Sequence, residues 1–339
     1  MRQFAIAVAL APALATLSLA NPSPATAQEG LHCASGETYI MNVMVSGHPY
    51  WVPVYQGFKQ AAEAFGCTTV FSGTPDYDIT KQIASFEQDM VKQPAGILVH
   101  PMQSDPFIEP INRAISDGTQ VVTFAADSPK SNRSAYITSD NLAEAKFAAE
   151  EIVKQIGETG QYAVLENPGQ SNHDLRVTAL IDYMQQHYPG MELVGRQATN
   201  QDSTAAYRAT ASILQANPEL GAIWIPEAGS AEGAVAAILE AKSDVLVMHA
   251  DITPATLEHI KAGNIHMALN PNQGMQGFMG FMATFMAAHS EVFDPFNDYR
   301  TSGYNPVQIP FIDNGFAVIT KDNADSFDLN TYMQGRDPA

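Results

Sequence analysis

Residues 38–73 read TYIMNVMVSGHPYWVPVYQGFKQAAEAFGCTTVFSG, and this stretch decides the fold class. TYIMNVMV (Thr38 to Val45) is a short apolar run of strand length. In the segment that follows, Val54, Phe58, Ala61, Ala62 and Phe65 recur at helical spacing until Gly66 stops the helix. CTTVFSG then opens a second strand, so the unit is strand, helix, strand. The unit repeats through the helix ITKQIASFEQDMVKQ, the strand AGILVHP, the helix PFIEPINRAISDG and the strand QVVTFAAD, which ends at Asp127. Such alternation predicts an α/β fold with a doubly wound parallel sheet.

The rhythm restarts after SAYITSDN. A helix over Leu142 to Ile156 leads to QYAVLEN, a helix over Arg176 to Tyr188, MELVGRQ, a helix over Thr204 to Ala216, and GAIWIPE. AEGAVAAILEA, DVLVMHAD, TPATLEHIKAG and IHMALNP continue it. Two doubly wound lobes are expected. The absence of a low-complexity linker predicts short strand crossovers between the lobes instead of a flexible tether.

The first residues set the compartment. Arg2 precedes the apolar stretch Ala5 to Ala20, which Pro12 interrupts, and Ala25-Thr26-Ala27 forms a small-residue cleavage site. A signal peptide over 1–27, cut before Gln28 or alternatively near Ala20, is expected, and with it a periplasmic protein. Removing 27 of 339 residues leaves about 310, too many for one ordinary core and suited to two. No later apolar run is long enough to span a bilayer. With 36 acidic and 17 basic side chains the formal charge is −19, which disfavours nucleic acid and anionic lipid as partners. Export and an even count point to a Cys33–Cys67 disulfide, the two residues standing at the starts of the first two strands. With only these cysteines and scattered histidines no metal is expected, and no cofactor.

In open parallel sheets ligands bind beyond the carboxyl ends of the strands. The residues found there are polar and aromatic: His48, Tyr50 and Trp51 after the first strand, His100 after the third, and Asp127 after the fourth. Glu227, Asp251 and Asn270 hold comparable places in the second half, and SNHDLR adds Asn172, His173, Asp174 and Arg176. Carboxylates and amides pair with adjacent hydroxyls, and flat rings cover C–H faces, so the set suits a polyhydroxylated ligand. Singly, each has a bland reading as a helix cap or a packing residue. Side chains at strand ends facing a cleft are expected to contribute little to the two cores.

From about Thr38 onward the chain resembles the type I periplasmic sugar-binding proteins, the ribose-binding-protein-like receptors of ABC importers. The stretches that carry the resemblance include SGHPYWVPVYQGFKQAAEAFG, AGILVHPMQSDP, QVVTFAADSP, AYITSDN, AEGAVAAILEAKSDVLVMHAD and ALNPNQGMQGFMG, in that order. It implies two lobes joined by three crossovers, closure on a sugar or sugar alcohol, a membrane permease as partner, and a monomer. It divides the chain into a first lobe over 37–139 plus about 272–308 and a second over 140–271 plus about 309–339. It also implies ligand contacts at His48, Tyr50, Trp51, His100, Asp127, Asp174, Glu227, Asp251 and Asn270, and a mainly structural role for Arg176. His48 and His100 stand where relatives carry Asn, Ala125 where they often carry Asp, and Asp174 where ribose-type members carry Arg, which argues against ribose.

Other functions compete. An enzyme on this scaffold would use similar side chains, yet no G-x-G-x-x-G after a strand, P-loop, G-x-S-x-G or H-E-x-x-H motif is present. A sugar-responsive regulator would need a helix-turn-helix head and no leader. A receptor presenting a sugar or small furanose to a chemosensor or quorum-sensing system remains open beside the importer.

Overall fold

A computed structural model describes residues 32–293 and 309–327; the expected signal peptide at 1–27, and the lobe segments 294–308 and 328–339, lie outside them. The first sheet contains β1 (Thr38–Val43), β2 (Thr68–Gly73), β3 (Gly96–Val99), β4 (Gln120–Phe124), β5 (Ala135–Thr138) and β11 (Ile309–Asp313). Its order is β2-β1-β3-β4-β5-β11, all parallel. The second sheet contains β6 (Thr159–Glu166), β7 (Gly190–Ala198), β8 (Leu220–Ile225), β9 (Leu246–Ala250), β10 (Met267–Pro271) and β12 (Phe316–Thr320). It repeats the order as β7-β6-β8-β9-β10-β12, with β12 antiparallel at the edge. In each sheet the strand order reverses once, between β1 and β3 and between β6 and β8, and crevices for ligands form at such reversals.

The first lobe carries α1 (Trp51–Ala64), α2 (Ile79–Val91) and α3 (Ile108–Ser116). The second carries α4 (Asn141–Ile156), α5 (Ser171–His187), α6 (Ser203–Ala216), α7 (Ala231–Ala241) and α8 (Pro254–Ala262). Their starts follow from capping chemistry. The side chain of Asp78 accepts from Thr80 and Lys81 amides, Asp140 from Leu142 and Ala143, and Asp202 from Ala205, satisfying amides that the first turn leaves free. Helix α5 begins at Ser171, five residues ahead of the expected Arg176. Its first turns are the polar SNHDLR, in which no apolar period marks the start.

Helix α9 (Gln273–Ala288) follows β10 but packs on α1 and the strands of the first sheet. The two helices approach closely at glycines, since a β-carbon on Gly57 or Gly277 would run into the carbonyl oxygen of Gly274 or Val54. Phe281 and Phe285 of α9 join Tyr39, Phe58 and Trp51 in the first lobe's core. The last crossing between lobes corrects the expected division. Ile309–Asp313 is a strand of the first sheet, pairing with β5, so the chain changes lobe at Asn314–Gly315 and not at about 309. Cys33 and Cys67 are bonded, with Cα atoms 5.1 Å apart. The parallel register that sets Thr38 beside Thr68 brings both to one edge of the sheet. Among the described residues, no helix is long and apolar enough to cross a membrane.

Candidate functional site

A cavity of about 370 Å³ lies between the lobes, at the carboxyl ends of the strands. The first lobe lines it with His48, Tyr50, Trp51, Tyr77 and His100, among others, and the second with Gln170, Asn172, His173, Gln201 and Asp251. The lobes touch around it. Tyr77 Oη donates to Asn167 Oδ1 at 3.1 Å, the Asp127 amide donates to Ser171 Oγ at 2.9 Å, and Gln170 Nε2 lies 3.4 Å from His100 Nε2. The two lobes are therefore in direct contact beside the cavity.

The strand ends that deliver these groups are strained. Val45, Ala125 and Asp251 all line the cavity, and their φ angles are 41°, 56° and 65°. Left-handed backbone costs a non-glycine residue about 1–3 kcal/mol and persists only where surrounding structure over-determines it. At Val45 the β-branch makes the cost steeper. The turn it forms places His48 and Trp51 at the mouth of α1, where Trp51 Nε1 donates to Met44 O at 2.9 Å and Val45 O at 3.1 Å.

Of the nine residues expected at the site, His48, Tyr50, Trp51, His100 and Asp251 line the cavity and four do not. Asp127 is spent on its own loop: its carboxylate accepts from Thr123 Oγ1 at 2.6 Å, the Ser128 amide at 2.8 Å, and Arg133 Nε and Nη2 at 2.5 and 2.7 Å. Asp174, one turn into α5, reaches back to the Gly169 amide at 3.0 Å. Glu227 accepts from the Gly229 and Ser230 amides ahead of α7 and is 1% exposed. Asn270 sits beside the last crossing and lines a separate cavity with Asn272, Asn314 and Phe316. Capping and loop bonds thus claim three of the four carboxylates that sequence position had suggested for ligand, leaving Asp251. Tyr77, Gln170 and Gln201 were missed, although each follows a strand, β2, β6 and β7 respectively, and so obeys the same positional rule.

Trp51 is more than a lid on the cavity. It is 5% exposed, and its ring meets Tyr50, His100 and Phe124 edge-on at 5.0, 4.9 and 5.8 Å between centroids. This corrects the expectation that the strand-end aromatics contribute little to the cores. Tyr50 Oη donates to Gln276 Oε1 at 2.9 Å, tying the wall to α9.

Burial dominates the electrostatics. It pushes His100 down to about 3 and His249 down to about 4, and it holds His48 and His173 below the usual imidazole range. Asp251 is pushed up to about 7 by burial, which outweighs the pull of Arg176, and Glu144 and Glu227 raise it further. The signs of the linked stabilities are opposite. The histidines are neutral in the fold and basic when unfolded, so their contribution is intact above about pH 6.5 and is lost as pH falls toward 4. The Asp251 contribution is intact below about pH 4 and is lost as pH rises through about 7. Melting curves from pH 7.5 to 4.5 should show the histidine trend most cleanly at His249, which does not line the cavity. In His249→Gln the loss over that range is expected to shrink by about 2 kcal/mol. An unchanged slope would mean that His249 is charged in the fold.

Two six-stranded α/β lobes of the 2-1-3-4-5 order, closed on a polar and aromatic cavity at both reversal points, define a two-lobed binding protein. A sequence profile of the periplasmic binding protein domain matches residues 39–291, and the chain belongs to that family. It is 25% identical over 254 residues to the D-allose-binding periplasmic protein of Escherichia coli K12, covering 71% of this chain and 81% of that protein. It is 27% identical over 259 residues to the D-apiose import binding protein of Actinobacillus succinogenes, covering 75% and 80%. Among solved structures, AraP, an arabinose-binding protein from Geobacillus stearothermophilus, superposes with a TM-score of 0.76 at 27% identity, over 86% of this chain and 99% of that one.

Proposed function

We propose that this protein is the periplasmic solute-binding component of an ABC importer, capturing a monosaccharide or sugar alcohol between its lobes without chemical turnover. The observation that carries the reading is the convergence of aromatic rings, amides and carboxylates from both lobes on a single cavity. Relatives named for allose, apiose and arabinose support a sugar of monosaccharide size. The ligand lies against Tyr50, Trp51 and Tyr77, with His48, His100, Gln170, Asn172 and Asp251 meeting its hydroxyls. Asp127, Asp174, Glu227 and Asn270 support the loops and the last crossing. The leader at 1–27 directs export, and the closed lobes dock on a membrane permease. One chain supplies both walls of the cavity, so the receptor acts as a monomer.

The test is a thermal-shift screen over pentoses, hexoses and alditols, since a ligand that binds only the folded state raises the melting temperature by mass action. Calorimetry with the best ligand should then show Asp251→Ala weaker by about 1.5–3 kcal/mol, roughly tenfold to a hundredfold. No stabilisation by any member, or product formation during incubation, would overturn the reading.

A further inference from the structure

The floor of the cavity carries more carboxylate than its surroundings neutralise. Arg176, 1% exposed, donates through Nε to Glu144 Oε2 at 2.5 Å and through Nη1 to Pro226 O at 3.0 Å, so its short hydrogen bonds lie behind the cavity wall. Asp251, whose side chain is 13% exposed on the cavity, has the same guanidinium as an ion-pair partner only at 3.8 Å. No hydrogen bond reaches its carboxylate among the described residues. Glu227 is buried nearby, and Glu144 Oε1 is buried with no hydrogen-bond partner. Glu144 and Asp251 thus share one guanidinium, while Glu227 is held by backbone amides.

Nothing else in the wall makes up the difference. Among the described residues no Lys or Arg lines the cavity, and burial keeps His48, His100 and His173 below the usual imidazole range. The remaining acids of the lining are occupied at the rim, Asp76 by Lys81 and Asp202 as the cap of α6. His100, in the same wall, is 1% exposed, and its Nδ1 is buried with no hydrogen-bond partner. A neutral hydroxyl can donate to Asp251 but brings no charge to balance it. An ammonium group supplies both the donors and the charge. The rings of Tyr50, Trp51 and Tyr77 around the same space favour a cation as well.

Resting on the sugar-binding reading of this cavity, we propose that its preferred ligand is an amino sugar or amino alditol, with the protonated amine against Asp251 and the hydroxyls on Gln170, Asn172 and His100. Burial raises the carboxyl of Asp251 more than Arg176 lowers it, so the guanidinium at 3.8 Å does not compensate the carboxylate fully.

Matched pairs test this by calorimetry on the mature chain at pH 7: D-glucosamine with D-glucose, D-galactosamine with D-galactose, and 1-amino-1-deoxysorbitol with sorbitol, alongside neutral pentoses and D-glucuronate. The expected result is that the tightest ligand carries an amine and binds about tenfold or more tightly than its neutral partner. Asp251→Asn should bring the two to within about twofold of each other. The wild-type comparison decides the matter even if the variant does not fold. A neutral sugar or glucuronate as the tightest ligand overturns the amine preference and leaves the sugar-binding reading intact. If no member of the panel binds, the sugar-binding reading itself falls, and the amine preference with it.

Discussion

Arg176→Met is expected to cost about 3–5 kcal/mol of stability, because it strands the buried carboxylate of Glu144. Arg176 and Glu144 are 1% and 0% exposed at the side chain, so water cannot replace the lost partner. The Pro226 carbonyl and Asp251 lose their cation in the same step. Urea unfolding of the unliganded protein measures the loss. The double variant Arg176→Met, Glu144→Leu should recover most of it, since replacing both members of a buried pair by apolar groups of similar volume is often neutral. A single-variant loss below about 1 kcal/mol would show the pair to be solvated.

Trp51→Ala is expected to abolish detectable ligand binding and also to destabilise the unliganded protein by about 3–5 kcal/mol, the range for deleting a large aromatic side chain from a packed interior. The ring is wedged among Tyr50, His100 and Phe124 while its indole N–H holds the strained turn after β1. Trp51→Phe separates the two roles. It keeps much of the packing and removes the N–H, so it should retain most of the stability and lose affinity through the loosened turn. Calorimetry and melting curves on both variants check this. Normal affinity in Trp51→Ala would place the ligand elsewhere.

Legibility in the sequence tracked physical cause. The alternation of apolar runs and helical spacing is imposed by burial on both sheet faces, and it located both lobes and most elements up to Pro271, but not α9, β11 or β12. The polar start of α5 carries no such period, so the helix was read too short and Asp174 seemed free to face the cleft. Asp127 illustrates the other limit. Its place after β4 is that of a ligand contact, yet Arg133, six residues on, claims it, and a pairing across a loop leaves no periodic trace. The same rule that picked out His48, Tyr50, Trp51, His100 and Asp251 applies to Tyr77, Gln170 and Gln201, which also follow strands. Position alone did not separate residues that line the cavity from those that cap helices.

The return of α9 and β11 to the first sheet has a consequence for the order of assembly. Residues 32–138 come first along the chain, yet without α9 they leave a face of α1 bare, and without β11 the outer edge of β5 stays open. The second lobe takes all but β12 from one continuous stretch, so its contacts are local and its loop-closure cost is small. The first lobe must wait for pairings such as Tyr50 with Gln276, 226 residues apart. The half of the molecule that is made first therefore waits for residues made near the end of the chain, and through the interval the outer edge of β5 is open to pairing with a stray strand.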